Sequence, residues 1–122
     1  MVNNKQIGTE FEQEMCKILA QKCYWVHFIV PDNRGAQPFD IVAAKNGEAL
    51  AMDCKTCVSS TFNINRLEDN QIMAFERWIK CGNADPYIAV KHKNNVYLIR
   101  YSYLKERRSV NIERESNIFA NL

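Results

Sequence analysis

Long apolar runs are missing from this 122-residue chain, and the opening Met1-Val2-Asn3-Asn4-Lys5-Gln6 is polar. A membrane-spanning helix needs about 18 or more consecutive apolar residues, and a secretory leader needs a charged segment feeding a hydrophobic stretch. Neither pattern occurs, so the expectation is a soluble, cytosolic protein with no membrane partner. An ordered cysteine framework is missing too. The five cysteines, Cys16, Cys23, Cys54, Cys57 and Cys81, are odd in number and irregularly spaced, which fits reduced thiols better than secreted disulfides. Cys54-x-x-Cys57 has no second cysteine pair, and His27 and His92 are isolated. A structural zinc site, which takes four ligands, therefore has little to complete it, and both histidines are expected to be ordinary strand residues. Repeats, low-complexity tracts and linkers are absent as well. Net charge is only +2, and 47% of the residues are hydrophobic, enough for one domain over residues 1–122 with a fairly small core.

What is present is well patterned. Ile7, Phe11, Met15, Ile18 and Leu19 recur at helical spacing with polar residues between them, which predicts an amphipathic helix over residues 5–22. Cys23 to Val30 reads as a strand. Pro31 to Pro38 is dense in structure-breaking residues and reads as a loop. Phe39 to Lys45 and Ala49 to Thr56 read as strands joined by Asn46-Gly47, a dipeptide favoured in tight hairpins because both positions tolerate positive φ. Cys57 to Arg66 is polar and reads as a loop before a second helix at Leu67 to Cys81, which stops at Gly82. Gln71, Phe75, Trp78 and Ile79 share a face of that helix. Tyr87 to Lys91 and Val96 to Tyr101 are predicted as strands around a Lys93-Asn94-Asn95 turn, followed by a poorly patterned tail. The predicted order is αβββαββ, an α/β fold with a central mixed sheet of about five strands flanked by helices.

Within that frame Asp40 precedes Asp53 and Lys55 by thirteen and fifteen residues. Strand side chains alternate with period two, so Asp53 and Lys55 share a face and Cys54 opposes them. The hairpin brings Asp40 beside Asp53. Two ionised carboxylates repel unless a cation compensates them, and magnesium suits an all-oxygen site. Lys55 can then hold a water or neutralise a phosphate. Spacing alone also admits, and slightly favours, a turn-capping Asp40 with a surface pair of Asp53 and Lys55. Likewise, Glu12 is open to a solvent-facing role on the first helix, and Gln71 to a core amide satisfied by backbone. Lys91, Lys93, Arg100, Lys105, Arg107, Arg108 and Arg114 gather in the last third, which suits either a phosphate-binding face or a solvated mixed-charge surface, since glutamates interleave them.

Taken in order, Gly8-Thr9-Glu10-Phe11-Glu12, Pro38-Phe39-Asp40, Asp53-Cys54-Lys55-Thr56, Thr61-Phe62-Asn63-Ile64 and Asn70-Gln71 form a pattern that resembles the PD-(D/E)XK nuclease superfamily. Within it, the stretch from Gly8 to Trp78 looks like Holliday junction resolvases of the RecU and archaeal types. Phe39 stands between the proline and the acid, and Asp53 stands where those resolvases more often carry Glu. The resemblance implies a restriction-endonuclease-like core. It implies Asp40 and Asp53 as metal ligands, Glu12 completing the acidic site, Lys55 as the catalytic lysine and Gln71 ordering water or phosphate.

The resemblance further implies magnesium, with manganese as a substitute, and a homodimer that cuts branched DNA, four-way junctions above all, in recombination and repair. Arg34, Thr56, Asn63, Arg66, Lys91 and Lys93 are the expected DNA contacts, made to backbone phosphates rather than to bases. Two other readings remain at this point. One is a restriction-like or repair endonuclease on duplex or single-stranded DNA, and the other is a nuclease fold that binds DNA without cutting.

Overall fold

Phe11, Met15 and Leu19 lie four residues apart and all three are buried, so α1 (Asn4–Gln21) commits one face to the core. Cys23, at a φ of 71°, turns the chain into β1 (Trp25–Phe28). The computed structural model describes residues 4–29, 39–115 and 117–118. The predicted loop from Pro31 to Pro38, with Arg34 in it, lies outside the described residues.

Next, β2 (Ile41–Lys45) and β3 (Glu48–Thr56) form the expected hairpin, with Lys45 opposite Glu48 and Ile41 opposite Met52. Asn46 and Gly47 take the positive φ values, 54° and 79°, that a two-residue hairpin turn demands. The chain then passes through β4 (Thr61–Asn63), a 3₁₀ turn at Ile64–Arg66 and α2 (Asp69–Lys80) before β5 (Tyr87–His92) returns parallel to β3. Gly82, at φ 92°, closes α2, donating its N–H to the Ile79 carbonyl. A Cβ there would meet nothing within 4 Å, so backbone conformation rather than space calls for glycine. Then β6 (Asn95–Arg100) folds back on β5 through Lys93 and Asn94, both at positive φ.

The five expected strands are all present, in the order β1-β2-β3-β5-β6. Alternation along them serves two cores. Ile41, Ala43, Leu50, Met52 and Ala89 face the α1 side with Phe11, Met15 and Leu19. Ala51, Ile88 and Val90 face the other side, with Phe75, Tyr101 and Leu104.

The end of the chain is more ordered than its pattern suggests. It forms α3 (Tyr101–Arg107), β7 (Ser109–Asn111), α4 (Ile112–Glu115) and β8 (Asn117–Ile118), the last adding a sixth strand beside β6. Tyr101, expected at the end of a strand, instead opens α3, with its N–H donated to the Pro86 carbonyl at 2.9 Å. The polar stretch expected as loop contains β4, which pairs with β7 through Phe62 opposite Val110. These elements are helices of one or two turns and strands of two or three residues, too short to show a period, and tertiary pairing sustains them.

Phe75 is the keystone of the α2 side. It is fully buried, stacked on Phe39 at 5.5 Å and tilted against Tyr101 at 4.8 Å. Phe75→Ala is expected to cost about 3–5 kcal/mol in a urea unfolding titration, whereas Met73→Ala, two residues away and 71% exposed, should stay within about 0.5 kcal/mol of wild type. Equal losses for the two would refute the assigned packing.

Candidate active site

Asp40 sits one residue before β2 and is fixed by its backbone from both sides. Its carbonyl accepts from the Ile29 N–H at 2.9 Å and its N–H donates to the Met52 carbonyl at 3.2 Å. Its Oδ2 accepts from the Cys54 N–H at 2.8 Å. A backbone donor inside a paired strand is a rigid partner, so the carboxylate is aimed rather than merely nearby. This contact was not legible in the sequence, because any residue at position 54 supplies the same N–H.

Asp53 lies within β3 opposite Ile88 and is 1% exposed. Among the described residues its Oδ2 is a buried side-chain oxygen with no hydrogen-bond partner. Lys55, on the same face two residues on, holds its Nζ 3.6 Å from that oxygen, beyond hydrogen-bond reach. Burial pushes the Asp53 carboxyl well above its usual range, contact with the Asp40 carboxylate pushes it further, and Lys55 offsets only part of this.

Glu12 reaches the same place from α1. Its carboxyl is pushed up to about 7, first by burial, then by the charge of Asp40 and a hydrogen bond with it, against a lowering pull from Lys55. Glu12 is partly buried rather than fully exposed to solvent. The three carboxylates run as a row with Asp40 in the middle, in contact with both neighbours. Among the described residues they do not close into a cage of three ligands. A row of acids with one orphaned oxygen suits a small hard cation, which takes one or two carboxylates and fills its other positions with water and substrate oxygens.

The Cys54 thiol is raised by burial and by Asp40, Asp53 and Glu12 around it, which suppresses the thiolate that metal binding or nucleophilic attack needs. Cys57 belongs to the opposite core and donates its S–H to the Ser59 carbonyl at 3.1 Å. The two cysteines thus face different sides of the sheet, and a zinc pair is excluded.

The side-chain oxygen of Gln71 is engaged locally. Its Oε1 accepts from the Glu68 N–H at 2.9 Å as part of the capping box that starts α2. Beyond Lys55, Thr56, Asn63 and Arg66 line an open cleft of about 610 Å³ together with Ser59 and Thr61. Arg66 Nη2 donates to the Thr56 carbonyl at 2.8 Å and its guanidinium lies over the Phe62 ring. Asn63 Oδ1 accepts from the Asn65 N–H at 2.8 Å. Lys91 pairs with Glu14 at 2.8 Å on the α1 side, and Lys93, 71% exposed, lies 3.5 Å from Glu113. His92 is the strand residue expected, at the end of β5, and it is buried, bonding through Nδ1 to the Cys57 carbonyl and through Nε2 to Glu113. Ser59 was not singled out in the sequence and Thr61 was quoted only within the Thr61-Phe62-Asn63-Ile64 stretch, although the hydroxyl-rich composition of that segment was their signal.

The raised carboxyls have a thermodynamic consequence. A group whose folded pKa exceeds its unfolded value contributes stability that is complete below the unfolded pKa and lost as pH rises through the folded one. For Glu12 that window runs from 4.5 to about 7, and Asp53 acts in the same direction. Thermal melts of the metal-free protein should therefore show a Tm that falls between pH 5 and 8, and Asp53→Asn should raise Tm at pH 8. A Tm that climbs over this interval, or a destabilised Asp53→Asn protein, would contradict the electrostatics.

Comparison with known proteins places these observations in a family. The profile described as archaeal Holliday junction resolvase (Hjc) matches residues 3–121. A crossover junction endodeoxyribonuclease, Hjc, of Methanocaldococcus jannaschii is 27% identical over 92 residues, covering 75% of this chain and 64% of that relative. The alignment thus spans a little under two thirds of that protein's length. The solved structure of Archaeoglobus fulgidus Hjc, a Holliday junction resolvase, superposes with a TM-score of 0.73 at 18% identity, over 93% of this chain and 98% of the other. That likeness carries the restriction-endonuclease-like α/β fold. The profile match runs over nearly the whole chain, and the chain belongs to the archaeal Holliday junction resolvase family.

Proposed function

We propose that this protein is a magnesium-dependent endonuclease that resolves four-way DNA junctions by hydrolysing phosphodiester bonds, acting in the cytoplasm as a homodimer. The observation that carries the reading is the buried, unpartnered Oδ2 of Asp53 beside Asp40, with the Lys55 ammonium 3.6 Å away. A purely structural acid at 1% exposure would have its oxygens satisfied. This one is left open at a cost that a bound cation removes.

Asp40 and Asp53 would hold the ion and Glu12 would complete the set from α1; manganese meets the same oxygen preference. When bound, the ion supplies Lewis acidity and lowers the pKa of coordinated water. Lys55 places the attacking water and compensates charge developing on the phosphoryl oxygens. Water attacks phosphorus in line and the 3′ oxygen leaves. Gln71, occupied in capping α2, contributes by fixing the helix start that follows the cleft. Thr56, Asn63, Arg66, Lys91 and Lys93 contact backbone phosphates, giving recognition by shape. Arg34 is proposed as a further phosphate contact on its sequence position alone. A junction with two-fold symmetry suits a two-fold enzyme, each protomer cutting one strand.

The deciding experiment is cleavage of an immobile four-way junction with magnesium, alongside a fork and a linear duplex at matched salt. Wild type should cut the junction preferentially. Asp40→Asn and Lys55→Ala should lose about a hundredfold or more in rate while still binding the junction without metal. No cutting by wild type would hand the protein to the binding-module reading, and equal cutting of linear duplex would hand it to a restriction-like or repair reading.

Two further outcomes follow from the assigned roles. Magnesium should raise the Tm of wild type at pH 8 and much less at pH 5, because ligands must be deprotonated to bind. Arg66→Ala should weaken junction binding and make the slope of log K against log salt shallower by about one, the signature of one lost phosphate contact. An unchanged slope would remove Arg66 from the interface.

A further inference from the structure

Val58 is 99% exposed, the most exposed of the large hydrophobic side chains among the described residues. Single exposed aliphatics are common and usually uninformative. This one differs in how rigidly it is presented. Cys57, just before it, is 7% exposed, donates its N–H to the Lys91 carbonyl at 2.9 Å and accepts from His92 Nδ1 at 3.0 Å through its own carbonyl. On the other side, Ser59 Oγ accepts from the Thr61 N–H at 3.1 Å, and the Ser60 carbonyl accepts from the Ile112 N–H at 2.8 Å. The bend is therefore pinned to β5, to β4 and to the start of α4, while its one apolar side chain projects outward. Valine adds stiffness, since branching at Cβ restricts χ1. Folding alone gives no reason for this construction, because the side chain buries nothing in the protein.

Its surroundings indicate what it meets. Val58 belongs to the rim of the cleft formed with Thr56, Ser59, Thr61, Asn63 and Arg66, and it follows Lys55 by three residues. Architectural proteins that kink DNA frequently insert apolar side chains as wedges between base steps. In a continuous duplex such insertion costs a few kcal/mol of unstacking per step. At the centre of an open four-way junction, base-pair faces already lack a stacking neighbour, so that cost is avoided.

We propose that Val58 is a positioning and selectivity residue that packs on an exposed base-pair face at the branch point of the DNA. This deepens the proposed function and rests on it. The wedge thus holds the branch point at a fixed place relative to the acids, with Val58 as the fixed end.

The test uses the full chain and an immobile junction carrying 2-aminopurine at the branch point, with binding measured without magnesium and cut sites mapped with it. Wild type should change the fluorescence of the branch-point base, and Val58→Ala should largely abolish that change. The ratio of junction to linear-duplex affinity should fall about tenfold, the factor expected for losing two buried methyl groups. Val58→Ile should restore both readouts, and the cut sites of Val58→Ala should spread away from the branch point. A wild type that prefers and cuts junctions, joined by a Val58→Ala protein with the same fluorescence, ratio and cut sites, would overturn the wedge and leave the nuclease reading intact. A wild type without junction preference would overturn the junction-resolving reading and the wedge together. If Val58→Ala instead converts a dimer into a monomer, the side chain packs against a second copy and the wedge is likewise overturned.

Discussion

A carboxylate buried in the middle of a central strand is the constraint on which this structure turns. Asp53 is enclosed on β3, and its Oδ2 receives no hydrogen bond. Burial opposes its charge, the Asp40 carboxylate opposes it further, and Lys55 compensates only in part. Such an arrangement lowers the stability of the metal-free fold and is tolerated at functional sites, where an unsatisfied group is kept for a ligand. The rest of the molecule surrounds that position. Strands pair with β3 on both of its edges, α1 covers one face with Phe11, Met15 and Leu19, and α2 and α3 cover the other around Phe75 and Tyr101.

Rigidity is what makes the strained site usable. Asp40 is held at its N–H, its carbonyl and its Oδ2 by three separate residues, two of them in β3 itself. The hairpin turn at Asn46 and Gly47 sets the register that allows this, because a slip of one residue would send Asp53 and Lys55 to the opposite face. Beyond the acids, the chain continues directly into the bend at Val58 and the cleft lined by Arg66, so the positions assigned to chemistry and to DNA contact are joined by a few residues of pinned backbone.

The strands, the hairpin and both long helices were legible because their signals are local and repeated. Four-residue spacing marked α1, a turn dipeptide marked the hairpin, and Gly82 marked the end of α2. The end of the chain was opaque for the opposite reason. Tyr101 and Leu104 are only one turn apart, and β7 is three residues long, so neither sequence stretch carries a period. Site residues divide in the same way. Asp53 and Lys55 were readable from their separation of two within a strand. The capping of α2 by Gln71 and the burial of His92 were not, since each depends on which backbone group happens to lie opposite.

By itself, then, the sequence determined the fold class, the hairpin, the shared face of Asp53 and Lys55 and the proximity of Asp40, because alternation and turn chemistry act over a handful of neighbouring residues. Only the tertiary structure decided that Glu12 belongs with the acids, that the Cys54 N–H aims Asp40, that Cys54 and Cys57 face opposite cores and that Val58 stands alone on a pinned bend. Those relations join residues far apart in the chain. Burial and orientation arise from packing between elements, and no local pattern encodes which surface a helix will cover.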